Sequence, residues 1–144
     1  MIWLKYFNPF RGPDFVIGDP DAPYMLRWHI IPRNRWFCIY LHNMLRDDED
    51  RAPHDHPWAS LSLCLKGKLI EHRPGHPPRT IGPGSIVYRG PEFGHRLEVP
   101  TSSWTIFVRG KVVREWGFHC EKGWRHWRDF TMPTSKGQIG RGCD

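Results

Sequence analysis

Two short segments constrain the fold of this chain more than any other feature. The first is the stretch 54–58, His-Asp-His-Pro-Trp, and the second runs from Gly84 to His95. Residues two apart in a β-strand project to the same face, so we expect His54 and His56 to point together from one strand. A third imidazole, that of His95, on a neighbouring strand would complete a three-histidine metal site. The pattern therefore predicts a metal site inside a small β-barrel.

The spacing of these segments resembles the two sequence motifs of the cupin superfamily. In the first motif a His-x-His pair is usually followed by a Glu about four residues on and by a Gly seven further. Gly67 stands at that Gly position, but Ser60 replaces the Glu. The second motif opens with a Gly and ends in a His eleven residues later, as Gly84 and His95 do. Three other positions depart from the motifs: Asp48 stands for the opening Gly, the turn at 90–92 is rearranged, and Val99 stands for a closing Asn.

The resemblance covers residues 48–99 and is strongest to small uncharacterised cupins of bacteria and phages. It implies an all-β, single-domain jelly-roll barrel, also called a double-stranded β-helix. Composition agrees with this reading, because 144 residues suit one domain, and 14 Gly and 14 Pro punctuate many short β-rich runs. We predict one domain over 1–144, with an irregular N-terminal arm at 1–23 and a flexible tail at 131–144. The predicted strands are 24–31, 35–45, 54–65, 69–73, 79–81, 85–88, 95–99, 104–109 and 112–119.

Charge and cysteine content bear on location and partners. The N-terminus lacks the apolar core of a signal peptide, and no apolar run is long enough to span a bilayer, so we expect a soluble, cytoplasmic protein with no membrane partner. The four Cys form no close pair, which favours reduced thiols in that compartment. The formal charge of +6 and the pI of about 9.4 would suit nucleic acid, but the charges are spread along the chain and the eight Trp suit a core. We therefore expect no nucleic-acid partner.

Alternation along the central strand predicts which residues line the barrel. If His54 and His56 face the cavity, then Trp58, Ser60, Ser62 and Cys64 share that side, and a small buried thiol is the simplest role for Cys64. Ala59, Leu61, Leu63 and Leu65 then face outwards and need a cover. Either the N-terminal hairpin at 24–45 or a second copy of the chain would supply it, and cupins of this size commonly dimerise through such a face.

Three neutral imidazoles bind a borderline divalent ion and leave coordination positions open. Asp55 points away from the site on a regular strand, and we consider Glu71 and Glu92 as weak candidates for a fourth ligand. In the cupin superfamily a three-His centre is the arrangement of thiol dioxygenases and some diketone-cleaving dioxygenases, which use Fe(II). The resemblance therefore implies one divalent transition metal, Fe(II) in the first place, with Zn, Ni, Mn or Cu as alternatives.

Without the usual Glu, the ion keeps its full positive charge, which favours an anionic small-molecule substrate. Arg89 would add a second positive contact or else be a solvated strand end. Tyr88 would donate a hydrogen bond to substrate or else pack in the barrel, and His42 on an early strand would reach the cavity. These three residues are the predicted catalytic candidates.

The resulting hypothesis is a metal-dependent cupin enzyme of the non-haem oxygenase type that acts on an anionic small molecule. One alternative is a metal-dependent isomerase or lyase, in which the metal acts only as a Lewis acid. The other is a non-catalytic ligand-binding or regulatory cupin. In all three cases we expect a homodimer.

Overall fold

The described residues of the computed structural model, which are 6, 8, 10–48 and 52–144 without the side chains of 135–138, form mainly antiparallel strands. The only helix among them is a single turn of four residues. No helix of the described residues is long and apolar enough to span a membrane. The all-β prediction is confirmed. The elements in chain order are β1 (Phe15–Asp19), β2 (Ala22–His29), β3 (Cys38–Met44), β4 (Ser60–Arg73), β5 (His76–Ile81), β6 (Ile86–Arg89), β7 (Arg96–Arg109), β8 (Gly117–Cys120), β9 (Gly123–His126), α1 (Trp127–Phe130), β10 (Thr131–Met132) and β11 (Ser135–Ile139).

Two long strands organise the barrel. β4 and β7 each contain 14 residues and pair with each other along most of their length. The main sheet has the order β1-β2-β3-β7-β4-β5, and β6 pairs with the first half of β4. The small hairpins β8–β9 and β10–β11 form separate sheets. The sheet curls around its apolar face, where Met44, Cys64, Leu69, Ile81, Val87, Leu97 and Val99 form the core.

Gly67 bends β4 instead of ending it. The prediction of separate strands at 54–65 and 69–73, which implies a turn at 66–68, is wrong, because β4 begins at Ser60 and continues through Gly67 with shifts in its register to β7. Gly67 has a φ of +89°, and a Cβ there would lie 2.4 Å from the carbonyl oxygen of Ser102. Only glycine fits both the backbone conformation and this close approach.

The first half of β4 alternates as predicted. Ser60, Ser62 and Cys64 are buried, whereas Leu61 and Leu65 are 45% and 46% exposed on the outer face. The N-terminal hairpin does not cover that face, since β2 and β3 extend the same sheet beside β7. Of the two covers considered from the sequence, the hairpin at 24–45 is therefore wrong.

Both ends of the chain are more ordered than the sequence suggested. β1 lies within the predicted irregular arm at 1–23, of which residues 1–5, 7 and 9 fall outside the described part. The strand predicted at 112–119 begins only at Gly117. The predicted flexible tail contains β10 and β11, and Cys143 forms a disulfide with Cys120.

The expectation of four reduced thiols is therefore wrong for this pair, while Cys38 and Cys64 are free and buried. Folding of the tail back onto β8 brings Cys120 and Cys143 together although 23 positions separate them in sequence. Sequence distance alone could not show this proximity.

Candidate metal centre

Three imidazoles meet at one point in the barrel, as the motifs predicted. One ring nitrogen from each of His54, His56 and His95 lies within 4.8 Å of the other two. The ring centroids are 4.9 to 5.2 Å apart. Three ring nitrogens this close together form a group that could hold one metal ion.

Backbone pairing, more than a regular strand, brings the histidines together. The N–H groups of His54 and His95 each donate to the other's carbonyl, at 2.8 and 2.9 Å. His54 also bridges to Phe118 on β8, and the N–H of His56 donates to the carbonyl of Pro91 at 3.2 Å. The loop before β4 is thus held against the turn that carries His95.

A buried carboxylate orients His95. Glu71 on β4 is fully buried, and its Oε1 lies 2.7 Å from His95 Nδ1. The guanidinium groups of Arg89 and Arg79 donate to the two oxygens of the same carboxylate, each through Nε at 2.5 Å. Burial by itself would raise the pKa of Glu71, but the hydrogen bond from His95 and the charge of Arg89 lower it to about 2. The Glu71 carboxylate is therefore negatively charged, and it accepts a hydrogen bond from the Nδ1–H group of His95.

The triad fits a metal ion. With its proton on Nδ1, His95 presents a lone pair at Nε2, and this atom is buried with no hydrogen-bond partner in the described part of the chain. Burial lowers the pKa of His95 to about 3, against the opposing effect of the Glu71 hydrogen bond. Burial, the imidazoles of His54 and His95, and the charges of Arg89 and Arg27 hold the pKa of His56 well below its usual range. Buried neutral imidazoles with an unpaired lone pair are suited to a divalent transition metal.

Acidic residues near the triad do not join it. Asp55 points away from it, as expected, and accepts from the Gly117 N–H, His119 and Trp124 at 2.8 to 3.0 Å. Glu71 supports His95 from behind, so it does not serve as a fourth ligand. Glu92 is exposed and lines a surface cavity of about 590 Å³ that none of the three imidazoles lines. Asp48, which replaces the motif Gly, lies 3.8 Å from His54 Nδ1.

Two of the three predicted catalytic candidates occupy unexpected positions. Tyr88 pairs with Leu61 on the outer face of the sheet and is 67% exposed, so the prediction that it contacts substrate is wrong. The cause is the alternation of β6, which turns Arg89 inwards and Tyr88 outwards. Arg89 is neither a solvated strand end nor a free cation, because it pairs with Glu71 and donates to Ser62 Oγ at 3.0 Å.

His42 lies inside the barrel, as predicted, but a neighbour missed in the sequence holds it. Its Nε2 accepts from Arg27 Nε on the adjacent strand at 2.9 Å, and its ring stacks on Tyr40. Burial and then the charge of Arg27 keep the pKa of His42 well below its usual range. The imidazole is thus neutral with its proton on Nδ1. Strand alternation in 24–29 could have placed Arg27 inside, since Met25 and His29 share its face.

Two further polar groups near the triad have no hydrogen-bond partner among the described residues. They are the Ser60 hydroxyl and the Trp58 indole N–H, and both atoms are buried. Ser60 stands where the cupin motif has its Glu, and the Trp58 ring lies 5.8 Å from that of His56. Cys64, further along β4, is buried, and burial raises the pKa of its thiol. It is a small core residue, as predicted.

Comparison with known proteins supports the fold alone. No family model matches the chain, and neither does any curated protein sequence. Among solved structures, the chain resembles the DMSP lyase DddQ from Ruegeria pomeroyi DSS-3, with a TM-score of 0.54 and 20% identity over 68% of this chain and 53% of that one. It also resembles Fe(II) HppE, with a TM-score of 0.58 and 14% identity over 70% and 57%. An RmlC-like cupin from Shewanella frigidimarina NCIMB 400 gives 0.54 and 15% over 69% and 86%.

The chain thus spans little more than half the length of the lyase and of HppE. At these identities the similarity concerns architecture, and it shows that the chain has the cupin jelly-roll fold that its motifs predicted.

Proposed function

We propose that this cupin-fold chain is a metal-dependent enzyme of the non-haem oxygenase type, with Fe(II) held by His54, His56 and His95 and an anionic small molecule as substrate. The observation that carries the proposal is the buried Nε2 of His95, which has no partner in the described part of the chain and whose ring Glu71 fixes through Nδ1. An acceptor left unpaired in a protein interior is costly, and a cation at the triad would satisfy it.

The surrounding residues determine the charge of the site. The three ligands are neutral, and the Glu71 carboxylate is already neutralised by Arg89 and Arg79. An Fe(II) ion bound here would keep its positive charge and offer open positions for a substrate and for redox or Lewis-acid chemistry. An anionic group is therefore the substrate feature that the site favours, and it would approach from the side of His54 and His56, which are partly exposed while His95 is buried.

A similar fold houses Fe(II) in HppE, which supports this metal as the first choice. The alternative is a metal-dependent isomerase or lyase, and the similarity to the lyase DddQ favours this second candidate. Oxygen consumption separates the two, since a Lewis-acid reaction needs none. Tight metabolite binding without turnover would instead indicate a ligand-binding or regulatory cupin.

Metal analysis tests the centre directly. Protein purified without chelator or polyhistidine tag should carry about one transition metal per chain, and His95→Ala should lose most of it. His72→Ala is the matched control, because His72 also pairs with a glutamate but is partly exposed far along β4. Equal occupancy in wild type and His95→Ala would contradict the proposal. Fe(II)-loaded protein should then consume oxygen with some small carboxylates or thiolates in an electrode assay.

We also propose that the chain forms a homodimer through the outer face of the main sheet. Leu61 and Leu65 on this face are joined by Ile86 and Tyr88 of β6, which are 68% and 67% exposed. In a two-fold dimer the same surface patch of each copy faces the other, and a contiguous apolar patch is uncommon on a monomer. A second copy of the chain is therefore the expected cover.

A further inference from the structure

Arg27 and Arg109 are two inward-facing cations that flank Tyr40. The guanidinium of Arg27 lies 4.5 Å from the centroid of the Tyr40 ring, and Arg109 Nε donates to the Tyr40 hydroxyl at 3.3 Å. Both residues are only partly exposed. No carboxylate of the described residues lies within ion-pair distance of either guanidinium. Partly buried arginines are usually paired, so this pair lacks an anion.

Arg89 differs from Arg27 and Arg109 because it has a carboxylate partner. Arg89 faces the same interior, but Glu71 neutralises it, and it therefore has no charge to offer a substrate. Burial lowers the pKa of Arg27, and the nearby charge of Arg109 lowers it further. Two like charges in one partly buried region repel each other until an anion lies between them.

Two unpaired donors lie beside the arginines. Ser60 is directly opposite Arg109 in the pairing of β4 with β7, and the Arg109 guanidinium lies 5.4 Å from the centroid of the Trp58 ring. The Ser60 hydroxyl and the Trp58 indole N–H are the buried groups described above as having no partner in the described part of the chain. All four side chains can donate hydrogen bonds, and none of the described residues forms an ion pair with Arg27 or Arg109.

This cluster of Arg27, Arg109, Ser60 and Trp58, called here the donor pocket, adjoins the metal triad. The ring of Trp58 lies 5.8 Å from that of His56, and Ser60, two residues further on, begins β4. On its other side Arg109 lines a surface cavity of about 490 Å³ together with Arg35 and Lys111. These further cations would raise the local concentration of anions at that opening.

We propose that the donor pocket binds a carboxylate of the substrate, so that the substrate is a small molecule with two anionic ends, one held at the pocket and the other at the metal. The inference rests on the proposed metal site for its second end only. A carboxylate suits the pocket because a guanidinium binds its two oxygens in a planar, bidentate manner, and the hydroxyl and indole N–H supply further donors. Ser60 in place of the motif Glu fits the same scheme, since a carboxylate there would repel the ligand.

Binding of acetate, malonate, succinate and glutarate tests the pocket. Each is titrated calorimetrically into metal-free and Zn²⁺-loaded protein, and melting temperatures are recorded in parallel. We expect at least one dicarboxylate to bind the Zn²⁺-loaded wild type more tightly than acetate does. Arg27→Met and Arg109→Met should weaken that binding roughly tenfold to a hundredfold, the range for loss of a charged hydrogen bond, while leaving the metal content unchanged.

Arg128→Met is the matched control, because Arg128 also stacks on an aromatic ring but is exposed and remote from the triad. Methionine keeps a chain of similar length, but it removes the donor to His42 Nε2 or to the Tyr40 hydroxyl together with the unpaired charge, so the melting temperature of each variant without ligand is measured first to show that it folds. Ser60→Ala provides a second, milder variant with an expected loss of a few-fold.

Two results would overturn the inference. One is dicarboxylate affinity in Arg27→Met and Arg109→Met equal to that of wild type and Arg128→Met. The other is wild-type protein that binds none of the four probes in either metal state. Failure of the metal site gives a different result, in which wild type retains no metal but metal-free protein still binds carboxylates through the two arginines. That result would support the pocket and reject the proposed centre.

Discussion

Replacing Glu71 with Gln should weaken both the fold and the metal site. The carboxylate is fully buried and accepts from His95, Arg79 and Arg89. Gln retains one acceptor oxygen and the shape of the side chain but removes the charge. Arg79 is 36% exposed and can turn to water, whereas Arg89 is 4% exposed and would keep an unpaired buried charge.

The expected loss of stability follows from the difference in exposure between Arg79 and Arg89. Removing one partner of a buried ion pair costs about 3–5 kcal/mol, and the retained amide oxygen places Glu71→Gln near 3 kcal/mol. For a domain of this size the melting temperature should fall by roughly 10 °C. Loss of the carboxylate behind a ligating histidine should also weaken metal binding about tenfold to a hundredfold.

The assay is urea denaturation of metal-free protein, combined with Zn²⁺ titration against a chelator of known affinity. Acidification adds a signature, because the pKa of Glu71 is near 2 in the folded protein against an ordinary value of 4.5. A lowered pKa stabilises the fold above about pH 4.5, and this contribution disappears as the pH falls towards 2. Between about pH 4.5 and pH 2 the wild type should lose this contribution to its free energy of unfolding, whereas Glu71→Gln should not.

Glu98→Gln is the control, since Glu98 lies 2.9 Å from His72 in a pair that is more than one third exposed on both sides. Its loss should cost less than about 1 kcal/mol. The double variant Glu71→Gln/Arg89→Met, in which both charges are absent, should recover most of the stability. The reasoning would be refuted if Glu71→Gln behaved like Glu98→Gln, or if the double variant were less stable than the single one.

Three further predictions concern the scaffold. Ile86→Glu, at an exposed position of the outer sheet face, should raise the dimer dissociation constant at least about tenfold in analytical ultracentrifugation. It should leave the stability of the monomer unchanged, and a monomeric wild type would contradict the proposed dimer. Gly67→Ala should lower the free energy of unfolding by more than about 2 kcal/mol in urea denaturation. Gly75→Ala, also at positive φ but with nothing within 4 Å of its added Cβ, should lower it by about 1 kcal/mol. Equal losses would argue against the close contact with the Ser102 carbonyl as the cause. Cys143→Ser should lower stability by about 2–4 kcal/mol, as reductant should for wild type, with metal content unchanged; a loss of metal would show that the tail supports the triad.

Local patterns in the sequence were sufficient to predict the metal triad. The two motifs identified His54, His56 and His95, although His54 and His56 lie in the loop before β4 and not on the regular strand expected for them. Strand alternation correctly buried Ser60 and Cys64 in β4. Alternation depends on residues close together in the chain, where backbone geometry limits the alternatives.

The sequence was a poorer guide to where strands begin and bend. A glycine between two polar lysines resembles a reversal, yet β4 continues through Gly67 and shifts its register to β7 on both sides of it. Similarly, β1 and the hairpin of β10 and β11 lie in segments for which the sequence predicted no strand, and each is paired with a neighbouring strand.

By itself, then, the sequence determined the class of fold and the identity of the three imidazoles, since both follow from the strand pattern together with the resemblance of the two histidine-bearing segments to the cupin motifs. The tertiary structure alone decided which charged groups meet. It paired Glu71 with His95 and Arg89, left Arg27 and Arg109 beside Tyr40 without a carboxylate among the described residues, and joined Cys120 to Cys143. The partners in each case lie on different strands or at distant positions, and only strand register and barrel closure bring such side chains within a few ångströms of one another.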